Sequence, residues 1–246
     1  MDWKKKFYGS IILLGVVVSY MKGVAVEYRI QVAMCVRDVR LFLRFQDTVK
    51  YTAYEYVKTV TESVEGHREV VVIKTREKDS ITMVKMLKEN MKPINYQKID
   101  IDGTLQMRME YLIDKVHILA PEKGMDKMIH IREDTFDKSS VMDLLQACLI
   151  HKKIKKMDFN FVIDAGNWGF RVVEMCAKTT GLEEVTVPAG TYQCRKVELR
   201  AAGLIGKLFW RTRYYYYFRD DFPHHFVKYS GPDGESIELL KYEIIN

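Results

Sequence analysis

Residues 209–226, FWRTRYYYYFRDDFPHHF, gather tyrosines, arginines, two adjacent acids and a histidine pair in one short stretch. If residues 208–218 form a strand, neighbouring side chains alternate across the sheet. Trp210, Thr212, Tyr214 and Tyr216 then share one face, and Arg211, Arg213, Tyr215, Tyr217 and Arg219 share the other. The first face is aromatic with phenol hydroxyls, and the second mixes guanidinium groups with rings in cation–π contact. Such a surface suits a sugar, a lipid headgroup or an anionic polymer. It equally suits cross-strand aromatic pairs that stabilise a wide sheet. Trp210, Tyr214, Tyr216, Arg211 and Arg213 are the candidate ligand-binding residues.

His224 and His225 follow Asp220 and Asp221, which raises the question of a metal site. Adjacent strand residues point to opposite faces, so such a pair does not readily share one ion. Pro223 between the acids and the histidines marks an edge or the start of a strand. No metal and no cofactor are expected. The chain lacks GxSxG, HExxH and a phosphate-cradling glycine loop, and no cysteine has a neighbouring base that would mark it as a nucleophile. Carboxylates such as Asp158, Asp164 and Glu174 are scattered, so the motifs do not indicate an enzyme.

The elements that must position these residues are mostly strands. In TLQMRMEYLI, Leu105, Met107, Met109 and Tyr111 alternate with Gln106, Arg108 and Glu110, the period of a half-buried strand. The same alternation runs through VEYRIQVAMCV from Val26. YTAYEYVKTV, REVVVIKTR, ITMVKML and INYQKIDI are short runs separated by polar or Gly/Pro punctuation, which implies an antiparallel meander. The apolar parity of YTAYEYV switches near Ala53 and Tyr54, which predicts a bulge there. Trp168-Gly169 and Gly203 to Gly206 read as bends that let a sheet curl.

One helix is predicted near residues 140–151. Val141, Leu144, Leu145, Cys148 and Leu149 fall on one helical face, with Ser140 as N-cap and Asp143 three positions later. The basic run 151–157, HKKIKKM, follows it as a solvated charged turn. After the helix the strand pattern resumes, and Pro188-Ala189-Gly190 and Pro232-Asp233-Gly234 supply hairpin turns. The fold expected is mainly all-β: a large curved antiparallel sheet or open barrel, with the helix as a seam between two β halves.

The first 25 residues, MDWKKKFYGSIILLGVVVSYMKGVA, have the lysine cluster, apolar run and small-residue site of a secretory signal peptide. Cleavage after Ala25 leaves 26–246 as a single β-rich exported domain, periplasmic or secreted and at most peripheral to a membrane. The first cysteine, Cys35, is too far from the apolar run to take a lipid anchor. Removing residues 1–25 takes away four lysines and one aspartate, so the net charge falls from +6 to +3. A balance that near neutral gives no footprint for nucleic acid. Cys35, Cys148, Cys176 and Cys194 allow three complete disulfide pairings. A hairpin about Pro188–Gly190 would set Cys194 opposite about position 184 rather than Cys176, so a Cys176–Cys194 bridge is not expected.

The order DTFDKSSVMDLLQACLI, then GLEEVTVPAGTYQCRKVEL, then a terminal VKYSG…ELLKYE resembles the bacterial exported domain-of-unknown-function family three-one-zero-eight. Val187-Pro188-Ala189-Gly190-Thr191-Tyr192 is similar to that family's hairpin, and VEYRIQV and PINYQKI extend the resemblance over most of the mature chain. The resemblance implies an exported β-rich domain and carries no catalytic residues with it. The function expected is non-catalytic, binding a lipid or glycan of the envelope on a concave sheet face, with docking of another envelope protein as the alternative.

Overall fold

The computed structural model describes residues 26–37, 49–147, 154–166, 169–203, 212–221, 224–232 and 234–245, and gives backbone alone for 26–37, 49–54, 138–139 and 245. The first half holds β1 (Val26–Arg37), β2 (Val49–Glu65), β3 (Arg68–Arg76), β4 (Ser80–Leu87), β5 (Pro93–Asp100), β6 (Leu105–Tyr111), β7 (Lys115–Ala120), β8 (Met125–His130) and β9 (Thr135–Asp137). Then come the helix α1 (Lys138–Leu144), β10 (Lys156–Asp164), β11 (Phe170–Val187), β12 (Gly190–Ala201), β13 (Arg213–Arg219), β14 (Phe226–Ser230) and β15 (Ser236–Ile245).

These strands form one sheet in the order β8-β7-β6-β5-β4-β3-β2-β1-β15-β14-β13-β12-β11-β10-β9. Two meanders are therefore joined where the first strand pairs with the last, Glu27 opposite Ile245 and Cys35 opposite Ser236. Pairing is antiparallel throughout except for β9 and β10, where Phe136 lies parallel to Phe161. The expected large curved antiparallel sheet with one short helix is what forms.

The sheet curls until its far regions meet, but the backbone ladder does not close. β8 and β9 remain its two ends. Side chains bridge the closing line: Tyr111 Oη donates to Asp137 Oδ2 at 3.4 Å, Arg132 reaches Glu174 at 2.9 Å, and Lys123 pairs with Asp164. Alternation packs the concave side, as in β7, where Val116, Ile118 and Ala120 are fully buried between half-exposed neighbours. No helix among the described residues is long and apolar enough to cross a membrane.

Several local expectations are corrected. The β1–β2 register runs unbroken from Val26↔Val60 to Arg37↔Val49, so there is no bulge at Ala53 or Tyr54. Register shifts lie elsewhere, one of them between β1 and β15, where Gln31 faces Lys241 and Val32 faces Leu239. Another occurs in β11 between Thr179 and Gly181. Gly169 is not a bend within a strand; with φ +68° it closes the β10–β11 turn, its carbonyl accepting from the Ala165 amide. Gly203, at φ +69°, lies just beyond the end of β12. Leu204, Ile205, Gly206 and Trp168 lie outside the described residues.

The helix begins earlier than predicted. Asp137, not Ser140, is its N-cap: Asp137 Oδ1 accepts the Ser140 amide at 2.9 Å, and its other oxygen accepts the Ser140 hydroxyl. Asp and Ser are equivalent cap residues by type, and the upstream one wins because β9 already fixes its backbone. After Leu144 a π-type turn covers 145–147, and the rest of the predicted span lies outside the described residues. The capping shift leaves Asp143 free for another contact. Its Oδ1 meets Lys58 Nζ at 3.0 Å, with both side chains essentially inaccessible to water.

Burial pushes Lys58 down to about 8 and Asp143 up to about 7; each partner's charge opposes the other's shift. Removing one member of such a pair strands a buried charge, whereas removing both does not. Lys58→Met is expected to cost about 3 kcal/mol, and Lys58→Met with Asp143→Leu to recover most of that loss, read by urea unfolding at pH 7.5.

Candidate functional site

Strand β13 carries the residues singled out from the sequence. It begins at Arg213, so Thr212 precedes it, and Trp210 and Arg211 lie outside the described residues. The four tyrosines do divide into two pairs. Tyr214 and Tyr216 stand opposite Leu199 and Val197 of β12, on the concave side. Tyr216 is buried, its ring 5.1 Å from that of Tyr229, and half-buried Tyr214 stacks on the same ring at 6.3 Å. Burial holds the Tyr216 and Tyr229 phenols protonated far above their usual range, and Tyr229 donates to Glu235 at 3.0 Å.

The other pair lies on the opposite side of the strand, where Tyr215 is half-buried and Tyr217 is buried beside Lys196. Lys196 Nζ sits 4.8 Å from the Tyr215 ring centre and 5.4 Å from that of Tyr217. The same ammonium pairs with Glu183 at 2.9 Å. Partial burial works against the charge of Lys196, but hydrogen bonds to Glu183 and Tyr217 outweigh it and raise its pKa. Exposed Arg213 donates to Glu198 at 3.4 Å. Neighbouring cations are matched in the same way, Arg195 by Asp220 at 2.6 Å and Lys228 by Glu238 at 2.7 Å. Beside Tyr215, the Thr180–Gly181 irregularity opens a cleft of about 350 Å3 walled by Leu182, Glu183, Lys196 and Glu198. Sequence parity placed Tyr215 outward; the cleft depends on a bulge in a different strand, for which Gly181 at φ +153° was the available signal.

The histidines separate. His224 adopts φ +58°, and its Nδ1 lies 3.0 Å from the Arg219 carbonyl. The Gln146 side chain donates to the His224 carbonyl at 3.0 Å, which ties the end of the helix segment to this loop. His225 is buried, stacked on Tyr242 at 4.3 Å and edge-on to Tyr192 at 5.9 Å. Neither of its ring nitrogens has a hydrogen-bond partner among the described residues. Among the described residues, no three His, Cys, Asp or Glu side chains converge as metal ligands. Cys176 and Cys194 are both free thiols. Cys194 faces Glu183, one position from the expected one, and burial pushes its thiol up to about 12.

The chain superposes on a β-barrel-like protein of the domain of unknown function DUF1849 from Brucella abortus, with a TM-score of 0.52 and 12% identity over 90% of this chain and 98% of that one. A protein from Bacteroides fragilis with a YmcC-like fold aligns at TM-score 0.32 and 10% identity over 88% and 95%, too low a score to define a shared fold. No protein-family model matches the sequence, and no curated protein matches it. The fold is therefore that of the β-barrel-like proteins. The family resemblance rests on the sequence segments alone.

Two outcomes follow from this geometry. Tyr216→Ala empties part of the core and is expected to cost about 3 kcal/mol, against about 1 kcal/mol for Tyr214→Ala, measured by chemical denaturation. Burial, aided by Arg219 and opposed by Asp221, lowers the His225 pKa from 6.5 to about 4. The unfolded chain thus binds the extra proton first as pH falls. The stability from neutral His225 is intact above pH 6.5 and is lost as pH drops toward 4, on the order of 3 kcal/mol. His225→Phe should flatten that part of the stability–pH curve.

Proposed function

We propose that the chain is an exported, non-catalytic envelope protein that binds a glycan on the outer face of β11–β13. The N-terminal signal-like segment supports export and a periplasmic or secreted location, and the PAGT hairpin supports membership of family three-one-zero-eight. The observation that carries the binding site is the cleft beside Tyr215.

The concave face first considered for a ligand is packed by the chain's own side chains, Tyr216, Tyr229 and the helix residues Val141, Leu144 and Leu145 among them. On the outer face, each cation near the cleft already has a carboxylate, so an anionic lipid headgroup would have to displace one. A neutral polyol needs no such exchange. Its hydroxyls donate to Glu183 and Glu198 and accept from Lys196, and its apolar ring face meets Leu182 and the edge of Tyr215. Docking of another envelope protein is the second reading, favoured by the filled interior together with the unpaired end of the sheet at β8.

Native mass spectrometry of protein released gently from a bacterial periplasm tests both parts. The expected mass begins at Val26 and carries a hexose-containing adduct that is lost on denaturation. Tyr215→Ala should reduce the adduct about tenfold, a loss of about 1.4 kcal/mol, without altering the apo mass. An adduct unaffected by Tyr215→Ala would place the ligand elsewhere, and a clean apo mass would shift the weight to the docking reading.

A further inference from the structure

The end strand β8 has a second feature, independent of the glycan reading. Its inner edge is paired with β7 from Lys115↔His130 to Ala120↔Met125, and no strand among the described residues pairs with its outer edge. The Ile131 amide donates to the Asp114 carbonyl at 2.9 Å, which sets the phase of the ladder. Hydrogen-bonded positions in an antiparallel pair recur every second residue. The amides and carbonyls of Met125, Lys127 and Ile129 therefore turn toward β7, and those of Asp126, Met128 and His130 turn away from the molecule. The side chains of these last three are exposed as well: Met128 to 54%, Asp126 to 70% and His130 to 81%.

From this geometry we infer that β8 is a self-association site, and that its occupant is β8 of a second copy of the chain. A two-fold axis at Met128 sets Met128 against its own counterpart and Asp126 against His130 of the other copy, twice. Every outward amide then meets a carbonyl, the apolar pair lies at the centre, and Asp126, which within its own chain also meets His117 at 2.6 Å, faces a second imidazole at each end. The charge order of the strand is complementary to its own reverse. Moving the axis one residue, to Lys127, would put two ammonium groups directly opposite each other, so the charges also select the register. The strand is short and the contact small, which suits a reversible dimer in the micromolar range.

Sedimentation velocity of the mature protein from about 1 to about 100 μM tests this, with the expected result a monomer–dimer equilibrium within that range. Met128→Pro removes an amide that no partner inside the chain uses, and should raise the dissociation constant at least tenfold with an unchanged far-ultraviolet spectrum. Asp126→Lys should weaken the dimer to a similar degree. Adding His130→Asp to it should restore association, because the introduced lysine and aspartate then face each other across the axis. A protein that stays monomeric at about 100 μM overturns the inference, as does a dimer indifferent to Met128→Pro or one that the paired charge exchange fails to rescue.

Discussion

The contact between Lys58 and Asp143 is the constraint on which the rest of the architecture depends. A curled sheet of this width leaves more interior than strand side chains alone can fill, and α1 enters that space with polar as well as apolar residues. Ser140, Asp143 and Gln146 are as thoroughly buried as Val141 and Leu145. Each of these side chains makes one defined polar contact: Asp137 caps Ser140, Lys58 meets Asp143, and Gln146 reaches the His224 carbonyl. Apolar packing alone would let the segment rotate or slide among similar arrangements. An unpaired charge in that interior costs more than any one apolar contact gains, so the pair selects one position.

That position links the two meanders. Lys58 lies in β2, in the first half, and His224 precedes β14, in the second, so the helix segment bonds to both. The backbone joins the halves at β1 and β15, where sequence-distant ends pair. The opposite side has no ladder and is closed by side chains, Tyr111 to Asp137 and Arg132 to Glu174. The interior contacts of the helix therefore carry much of what a closed barrel would assign to hydrogen bonds between its first and last strands.

Much of this was legible in short-range pattern. The period of two in Leu105, Met107, Met109 and Tyr111 identifies β6, and the PAG turn sets the β11–β12 register to within one residue. The helix was visible in its apolar spacing, but its cap was not, because DTFDKSS offers both an aspartate and a serine and only the tertiary course of β9 chooses between them. Lys58 carried a readable signal, since it occupies the same parity as Tyr56 and Val60, a lysine where the pattern asks for an apolar residue. What no local pattern discloses is the pairing of β1 with β15 or the parallel β9–β10 contact, both set by closure of the whole sheet.

The division between inner and outer faces also decides where chemistry can occur. The inner face of β13 places Tyr216 against Tyr229, with phenols held neutral and away from water; such groups support the core and do not exchange protons with a substrate. The opposite side of the same strand is partly wet at Arg213 and Tyr215, and the cations there and on the flanking strands, Arg213, Arg195 and Lys228, are matched by carboxylates. A surface of that kind has weak attraction for a polyanion, because each new ion pair must break an old one. It retains many donors and acceptors at fixed spacing, which is what a hydroxyl-rich ligand requires. Residues 213–219 thus stabilise the fold through Tyr214 and Tyr216 packed on Tyr229, while Arg213 and Tyr215 keep part of their surface in water.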